Sequence, residues 1–479
     1  MSATHRTRAE EPRFADWRLL GLGFWQAWQM VVLCTHKVVA AASPEVPGEN
    51  PVLILLALMT ASYALVVLLS RRFAPFLSRR DSFILAGGLT ALGTALIPVS
   101  LGLLAGAAAL VLFLIGAAAA SFGNALLIIM WGELWSALAT GRVGRHLYAS
   151  YTFAFVLFFI AYAMPKAVAI GYATALPVVS AAILAACKSE PRREPSVIPL
   201  DTKTVPVGRL LLCVFLISVV WGTSQGMLDP YAGNDGHFMA RALLLAGGGI
   251  GAITLSMMVS QAPSEAAALY RPVIPAMVIG LILLLLEPMP YPFIGCGLII
   301  MGVYCLDMLM MLVSTDVAFR GRISVAASFG VTILVARTGT LTGTFLADWL
   351  PMLPVWSSQM HTDVFLLAVL VLAIIGMLFF TIADVQRLYV TPRSGAADTS
   401  LEEKCAAIAA MGKLTNRESE VIVLLARGRS VPYISDELSI AQGTTKHHVS
   451  NIYRKLGVAD RQGLLDAIEQ GGVGKPGWE

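Results

Sequence analysis

KLTNRESEVIVLLARGRSVPYISDELSIAQGTTKHHVSNIYRKLGVADRQGLLDAIEQ, residues Lys413 to Gln470, is the stretch that decides the reading of the chain. Its apolar spacing divides it into four short helices. The first spans Arg417 to Ala426; Thr415 with Glu418 three residues on has the spacing of a capping box, and Gly428 lies just past the end. The second runs from Val431 to Leu438, with Pro432 in a first turn where amides lack intrahelical partners. The third covers Gln442 to Leu456 and stops at Gly457. The fourth covers Arg461 to Glu469.

The third helix has two faces. Thr445, Val449, Ile452 and Leu456 recur at i, i+4, i+7 and i+11 and make one inward stripe. Lys446, His447, Ser450, Asn451, Arg454 and Lys455 lie on the other side. No carboxylate occurs between Ser439 and Ala459. A helix entering the major groove needs that absence, because phosphates flank it on both sides. The connection Ser439-Ile440-Ala441 has the length that a helix-turn-helix uses.

These residues resemble the LuxR-type (GerE-like) helix-turn-helix of bacterial transcription regulators. The matching positions are Leu414-Thr415-x-Arg417-Glu418-x-Glu420-Val421, Leu424-Leu425-Ala426-x-Gly428-x-Ser430, Ile434, and Leu438-x-Ile440. They continue through Thr444-x-Lys446-x-His448, Ile452, and Lys455-Leu456-Gly457-Val458-x-x-Arg461. The resemblance implies that Gln442 to Leu456 is the recognition helix. It implies that Lys446, His447 and Ser450 face base edges while Thr444, Arg454 and Lys455 sit near phosphates. With His448 and Asn451 these form the candidate contact set for double-stranded DNA. The resemblance also implies homodimerisation through the last helix, here Leu464, Leu465 and Ile468. Two positions depart from the family pattern: Ala441 stands where Ser or Thr would cap the recognition helix, and Thr445 stands in place of Val. Leu401 to Glu479 carries ten Lys/Arg and ten Asp/Glu, so its formal charge is zero and its positive character is local to the third helix.

The remainder is of another kind. The 479 residues are 57% hydrophobic and 13% charged, with a mean hydropathy of +0.74. Soluble domains carry about 25% charged residues, so most of this chain is membrane protein. Twelve apolar segments reach the roughly 20 residues a crossing needs: 19–42, 51–70, 83–101, 103–133, 147–164, 167–187, 208–229, 238–260, 272–287, 292–315, 323–350 and 363–385. Arg71, Arg72, Arg79, Arg80, Arg142, Arg145, Lys188, Arg192, Arg193, Arg320 and Arg322 lie in alternate loops. The intervening loops, such as 43–50, 288–292 and 351–362, have no Lys or Arg. The positive-inside rule then places both termini in the cytoplasm of a bacterial inner membrane.

The polar linker 188–207 splits the segments six and six. The expected organisation is therefore a cytoplasmic tail (1–18), one transmembrane half (19–187), the linker, a second half (208–389), a flexible tether (390–412) in which Ser400 to Ala410 reads as a short amphipathic helix, the DNA-binding domain (413–470) and a short tail (471–479). The fold class is all-α: a twelve-helix transmembrane bundle followed by a four-helix domain. The 6+6 topology resembles the major facilitator superfamily. That superfamily carries Gly-x-x-x-Asp-Arg-x-Gly-Arg between helices two and three. Here the loop reads Ser70-Arg71-Arg72-Phe73-Ala74-Pro75-Phe76-Leu77-Ser78-Arg79-Arg80, without the acidic residue or the glycines, which weighs against transport. A family of bacterial membrane-embedded regulators with about twelve spans is the best whole-chain resemblance.

Ionisable residues within spans are costly and point to a site. Arg337 and Asp307 sit mid-span, and two roles are open: they pair, or Arg337 receives an anionic ligand between the halves. Asn124, Glu133 and Trp28 complete the candidate ligand set, although Asn124 with Glu133 also reads as an interfacial polar patch. His36, Lys37 and Arg241 read as snorkelling to headgroups. The six cysteines read as small buried hydrophobes, without metal-ligand spacing. No nucleotide, nucleophile or metal motif is present, so no cofactor and no enzyme activity are expected. The expectation is a regulator that senses an unidentified small-molecule effector; the alternative is a secondary transporter with a DNA-binding tail.

Overall fold

The computed structural model describes residues 17–35, 37–39, 51–138, 140–187, 207–234, 237–260, 272–286, 292–321, 323–354, 357–376, 395–426, 431–438, 440–458 and 460–470. The chain divides into two compact units, Met1–Leu388 and Tyr389–Glu479. Among the described residues there is no strand.

In the first unit a 3₁₀ turn, Trp17–Gly21, leads into α1 (Leu22–Cys34). There follow α2 (Pro51–Phe73), α3 (Arg80–Leu103), α4 (Gly106–Ser136), α5 (Thr140–Ala163) and α6 (Lys166–Ala186). The second half contains α7 (Val207–Asn234), α8 (Phe238–Ser260), α9 (Val273–Leu285), α10 (Pro292–Arg320), α11 (Val331–Trp349) and α12 (Ser358–Ile374). Each expected apolar segment overlaps a helix among the described residues. Nine helices among the described residues are long and apolar enough to cross a membrane; α1, α9 and α12 are shorter. The outward residues are apolar too: Ile84 is 73% exposed and Leu103 79%. In water that surface would be costly, whereas lipid accepts it.

The pairing of helices repeats. In the first half α1 packs on α5, α3 on α4 and α6, and α2 on α4. In the second half α7 packs on α11, α9 on α10 and α12, and α8 on α10, the same pairs moved on by six helices. The two halves meet through α2 with α11 and α5 with α8, which the same exchange interconverts. An internal two-fold repeat of this kind is how many transporter folds are built. Small residues permit the closest pairs: a Cβ on Gly222 of α7 would strike the Thr340 carbonyl, and one on Gly343 of α11 the Val219 carbonyl.

In the second unit α13 (Gly395–Met411) precedes α14 (Asn416–Ala426), α15 (Val431–Glu437), α16 (Gln442–Leu456) and α17 (Arg461–Gln470). The last four match the expected helices to within a residue, and α16 has the expected bounds. The 390–412 stretch is more ordered than a tether: its helix begins at residue 395, ahead of the expected Ser400, and Cys405 and Ile408 enter the same core as Val421, Ile422, Leu425, Ile434, Ile452, Leu456, Leu464 and Ile468. The physical reason is that a sixty-residue unit leaves much apolar surface uncovered, and α13 covers part of it. Residues 377–394 and the tail 471–479 lie outside the described residues. Five of the six cysteines are buried, Cys34 is half-buried, and no disulfide joins them.

Candidate nucleic-acid interface and membrane cavity

The helix-turn-helix is fastened at three points. Thr415 N donates to Glu418 Oε2 at 2.8 Å and Glu418 N donates to Thr415 Oγ1 at 3.3 Å, which completes the capping box at the start of α14. Lys455, at the end of α16, donates from Nζ to Glu418 Oε2 at 2.6 Å. Between α15 and α16, Ser435 and Thr445 join hydroxyl to hydroxyl at 2.8 Å, both buried. The Thr at the inward position thus has a partner, and its hydroxyl costs little to bury. Ala441 makes no side-chain cap, as its methyl group requires; the cap is only backbone. Gly457 takes the left-handed conformation (φ 66°), and Val458 N donates to Tyr453 O at 3.0 Å to close α16.

Glu418 holds its proton less readily than an ordinary carboxylic acid. Burial pushes its pKa up, but the Lys455 ammonium and the Thr415 amide and hydroxyl together bring it below the usual value. A depressed carboxylate contributes stability that is present above its unfolded-state pKa and is lost as pH falls through the folded-state pKa. We expect Glu418→Ala to cost about 1–2 kcal/mol at neutral pH. The gap to the parent should close in acid. Urea midpoints measured across pH check both statements; a gap independent of pH would contradict the assignment.

The opposite face of α16 is open. Thr444, Lys446, His447, Ser450 and Arg454 are exposed, and His448 and Asn451 are half-buried. Arg454 Nη2 donates to Asn451 Oδ1 at 2.8 Å, and Asn451 Nδ2 lies 3.1 Å from His447 Nδ1. These contacts line up one polar ridge along the helix. Lys455 is the exception: its ammonium is engaged on Glu418, because a nearly buried carboxylate needs a cation. The last helix also differs from expectation. Leu464 and Ile468 are 0% and 3% exposed in the domain's own core, so as folded they offer no surface to a second copy; Leu465 is half-buried.

The family described as bacterial regulatory proteins, luxR family, matches residues 412–468. Residues 412–468 are a luxR-family helix-turn-helix domain. Its relatives agree: two proteins called probable transcriptional regulatory protein NarL, from Mycobacterium tuberculosis strains CDC 1551 / Oshkosh and H37Rv, are each 45% identical over 58 residues, 12% of this chain and 27% of theirs. The HTH-type transcriptional regulator MalT of Yersinia enterocolitica is 47% identical over 57 residues, again 12% of this chain and 6% of that one. The chain thus spans about a quarter of the length of the NarL relatives. The luxR-family domain is the shared part.

The other unit resembles a transporter. The crystal structure of the human organic anion transporter MFSD10 (TETRAN) superposes with a TM-score of 0.51 at 13% identity, over 74% of this chain and 97% of that one. At that identity the likeness is one of fold alone.

That unit encloses a cavity of about 120 Å³ between its halves. Trp25 and Gln29 of α1, Tyr151 of α5, Trp221 of α7, Asp307 of α10 and Arg337 of α11 are among its lining. Arg337 Nη2 donates to Gln29 Oε1 at 2.7 Å. Among the described residues Asp307 and Arg337 form no direct ion pair; a neutral amide has taken the nearest place on the guanidinium. Gln29 Nε2 lies 3.5 Å from Asn124 Oδ1, which also accepts from Trp25 Nε1 at 2.7 Å, and Asn124 Nδ2 donates to Tyr63 Oη at 3.2 Å. Asn124 therefore stands behind the cavity wall and braces it.

Two candidates fall elsewhere. Trp28 is buried away from the cavity and donates to Thr94 Oγ1 at 2.9 Å. Glu133 accepts from Phe76 N at 3.0 Å and Leu77 N at 2.7 Å, so α4 supplies the carboxylate that the α2–α3 loop lacks. Glu133 and Asn124 thus do not form one patch; each has its own partners. Lys37 does not snorkel: its Nζ donates to the carbonyls of Ala161, Tyr162 and Met164 at 2.6–3.1 Å, at the end of α5. Arg241 lies over the Phe293 ring, 5.8 Å from its centroid, and His36 is outside the described residues. Sequence reasoning missed Gln29 and Tyr151. The pair Gln26 and Gln29, one turn apart in an otherwise apolar span, was the signal available.

Proposed function

We propose that the protein is a bacterial inner-membrane transcription regulator with both termini in the cytoplasm. A small-molecule effector enters the cavity between the halves and favours one arrangement of them. The luxR-family domain then changes its occupancy of an operator, as a homodimer on double-stranded DNA. The observation that carries this reading is the joining, in one chain, of a DNA-binding domain to a transporter-like unit with charged residues in its cavity. The loop between α2 and α3 lacks the superfamily pattern, which favours sensing over transport. An effector shifts the balance only by its differential affinity for the two arrangements.

The proposed contact set is Thr444, Lys446, His447, His448, Ser450, Asn451 and Arg454, with Lys455, exposed but paired with Glu418, beside it. Leu465 is the member of the expected dimer set that retains exposure, and a dimer would be built around it. Chromatin pull-down of the full chain, with and without candidate compounds, tests the proposal. A set of sites whose occupancy changes with one compound supports it. Uptake or efflux that survives deletion of Leu414 to Glu479, with no site occupied, would favour the transporter alternative.

A further inference from the structure

The cavity holds two opposite charges that do not neutralise each other directly. Arg337 is bonded to Gln29 and lies beside the Tyr63 hydroxyl, two neutral groups that leave part of its five N–H donors available. Asp307 lines the same cavity, and among the described residues it forms no ion pair and accepts no hydrogen bond. The surrounding wall is mostly apolar and aromatic, with Trp25, Trp221, Tyr151 and Tyr304 offering flat faces. In such a setting a charge without a partner is expensive, and one partner supplied alone leaves the other group exposed to a like charge.

We infer that the cavity binds a compact single-ring zwitterion, its carboxylate on Arg337 and its ammonium on Asp307. This deepens the reading of the cavity as the effector site and rests on it. A guanidinium fork matches a carboxylate in two parallel hydrogen bonds. A carboxylate such as Asp307 accepts from an ammonium, which has three donors and no acceptor. A simple organic anion would satisfy Arg337 and repel Asp307; a simple amine would do the reverse. Size points the same way. The cavity of about 120 Å³ is close to the roughly 150 Å³ that accommodates benzene in an apolar core. The ligand body is therefore one ring, stacked on the aromatic wall.

The test uses the full chain in lipid nanodiscs and three probes: 4-(aminomethyl)benzoate, benzoate and benzylamine. Binding is read from tryptophan fluorescence, since Trp25 and Trp221 line the cavity, and from calorimetry. The zwitterion is expected to bind at least about tenfold more tightly than either singly charged probe. In Arg337→Gln it should bind no better than benzylamine, and in Asp307→Asn no better than benzoate. Benzoate binding as tightly as the zwitterion, or no binding by any of the three, overturns the inference. The comparison on the parent chain does not depend on how the variants fold, and Arg337→Lys and Asp307→Glu should restore part of the preference.

Operator occupancy is measured separately. If the zwitterion binds selectively and occupancy is unchanged, the ligand class stands and the sensor reading fails. If another compound changes occupancy while the zwitterion shows no preference, the sensor stands and this inference fails.

Discussion

A chain carrying Lys446→Ala and Arg454→Ala together is expected to lose roughly a hundredfold or more in operator affinity. Each contact from a cationic side chain to a base edge or phosphate contributes about 1–3 kcal/mol, and the two residues share the open face of α16. Arg454 is held by Asn451, which in turn meets His447, so its guanidinium reaches DNA with little freedom left to lose. The formal charge from Leu401 to Glu479 is zero, so little diffuse positive surface can compensate. The salt dependence of binding should fall as well, by about one unit of slope for each phosphate contact removed. Both residues are exposed, so the melting of the domain should stay within about 0.5 kcal/mol of the parent. Gel-shift titration at two salt concentrations measures the affinity and the slope, and urea denaturation of the variant measures the stability. Retained affinity with unchanged slope would mean that α16 is not the helix on the DNA.

The second large effect concerns where the DNA-binding unit begins. The luxR-family match starts at residue 412, but the core does not. Ile408 is 0% exposed, Cys405 1% and Ala409 7%, and Leu401 packs against the same cluster. Burying one large aliphatic side chain contributes about 1.5–3 kcal/mol. A fragment beginning at residue 412 should therefore be about 3–5 kcal/mol less stable than one beginning at residue 395. Small domains have only about 5–15 kcal/mol in total, so the shorter fragment should be partly unfolded near body temperature. Urea denaturation of the two fragments decides the point. Equal midpoints would mean that α13 is dispensable packing. If α13 is needed, it also supplies a mechanical route: whatever moves residue 395 moves the core that positions α16.

The DNA-binding fold was legible because its signals are local. The Thr415–Glu418 spacing, the inward stripe on α16 and Gly457 at its end each act within one or two helical turns. The membrane fold was legible because twelve apolar runs and a charged linker are written in composition. The Lys455–Glu418 pair was not legible because its members lie 37 residues apart, and no local pattern announces that pairing. Leu464 and Ile468 were misplaced because an apolar stripe on a last helix looks the same whether it meets its own core or a second chain. Asn124, Glu133 and Trp28 were grouped as polar residues in one membrane, although their partners separate them: Trp25 and Tyr63 for the first, the 76–77 backbone for the second, Thr94 for the third.

By itself, then, the sequence determined that the described elements of this chain are helical, that most of them are apolar, and that a luxR-family helix-turn-helix domain follows them. Hydrophobic period, capping residues and charge asymmetry are short-range or additive, so they survive in one dimension. Only the tertiary structure decided that Arg337 leans on Gln29 rather than on Asp307, that α13 belongs to the core of the second unit, and that Lys455 pairs with Glu418. Those outcomes depend on which distant groups arrive first at a buried charge or an uncovered apolar face, and that is settled by packing across the fold.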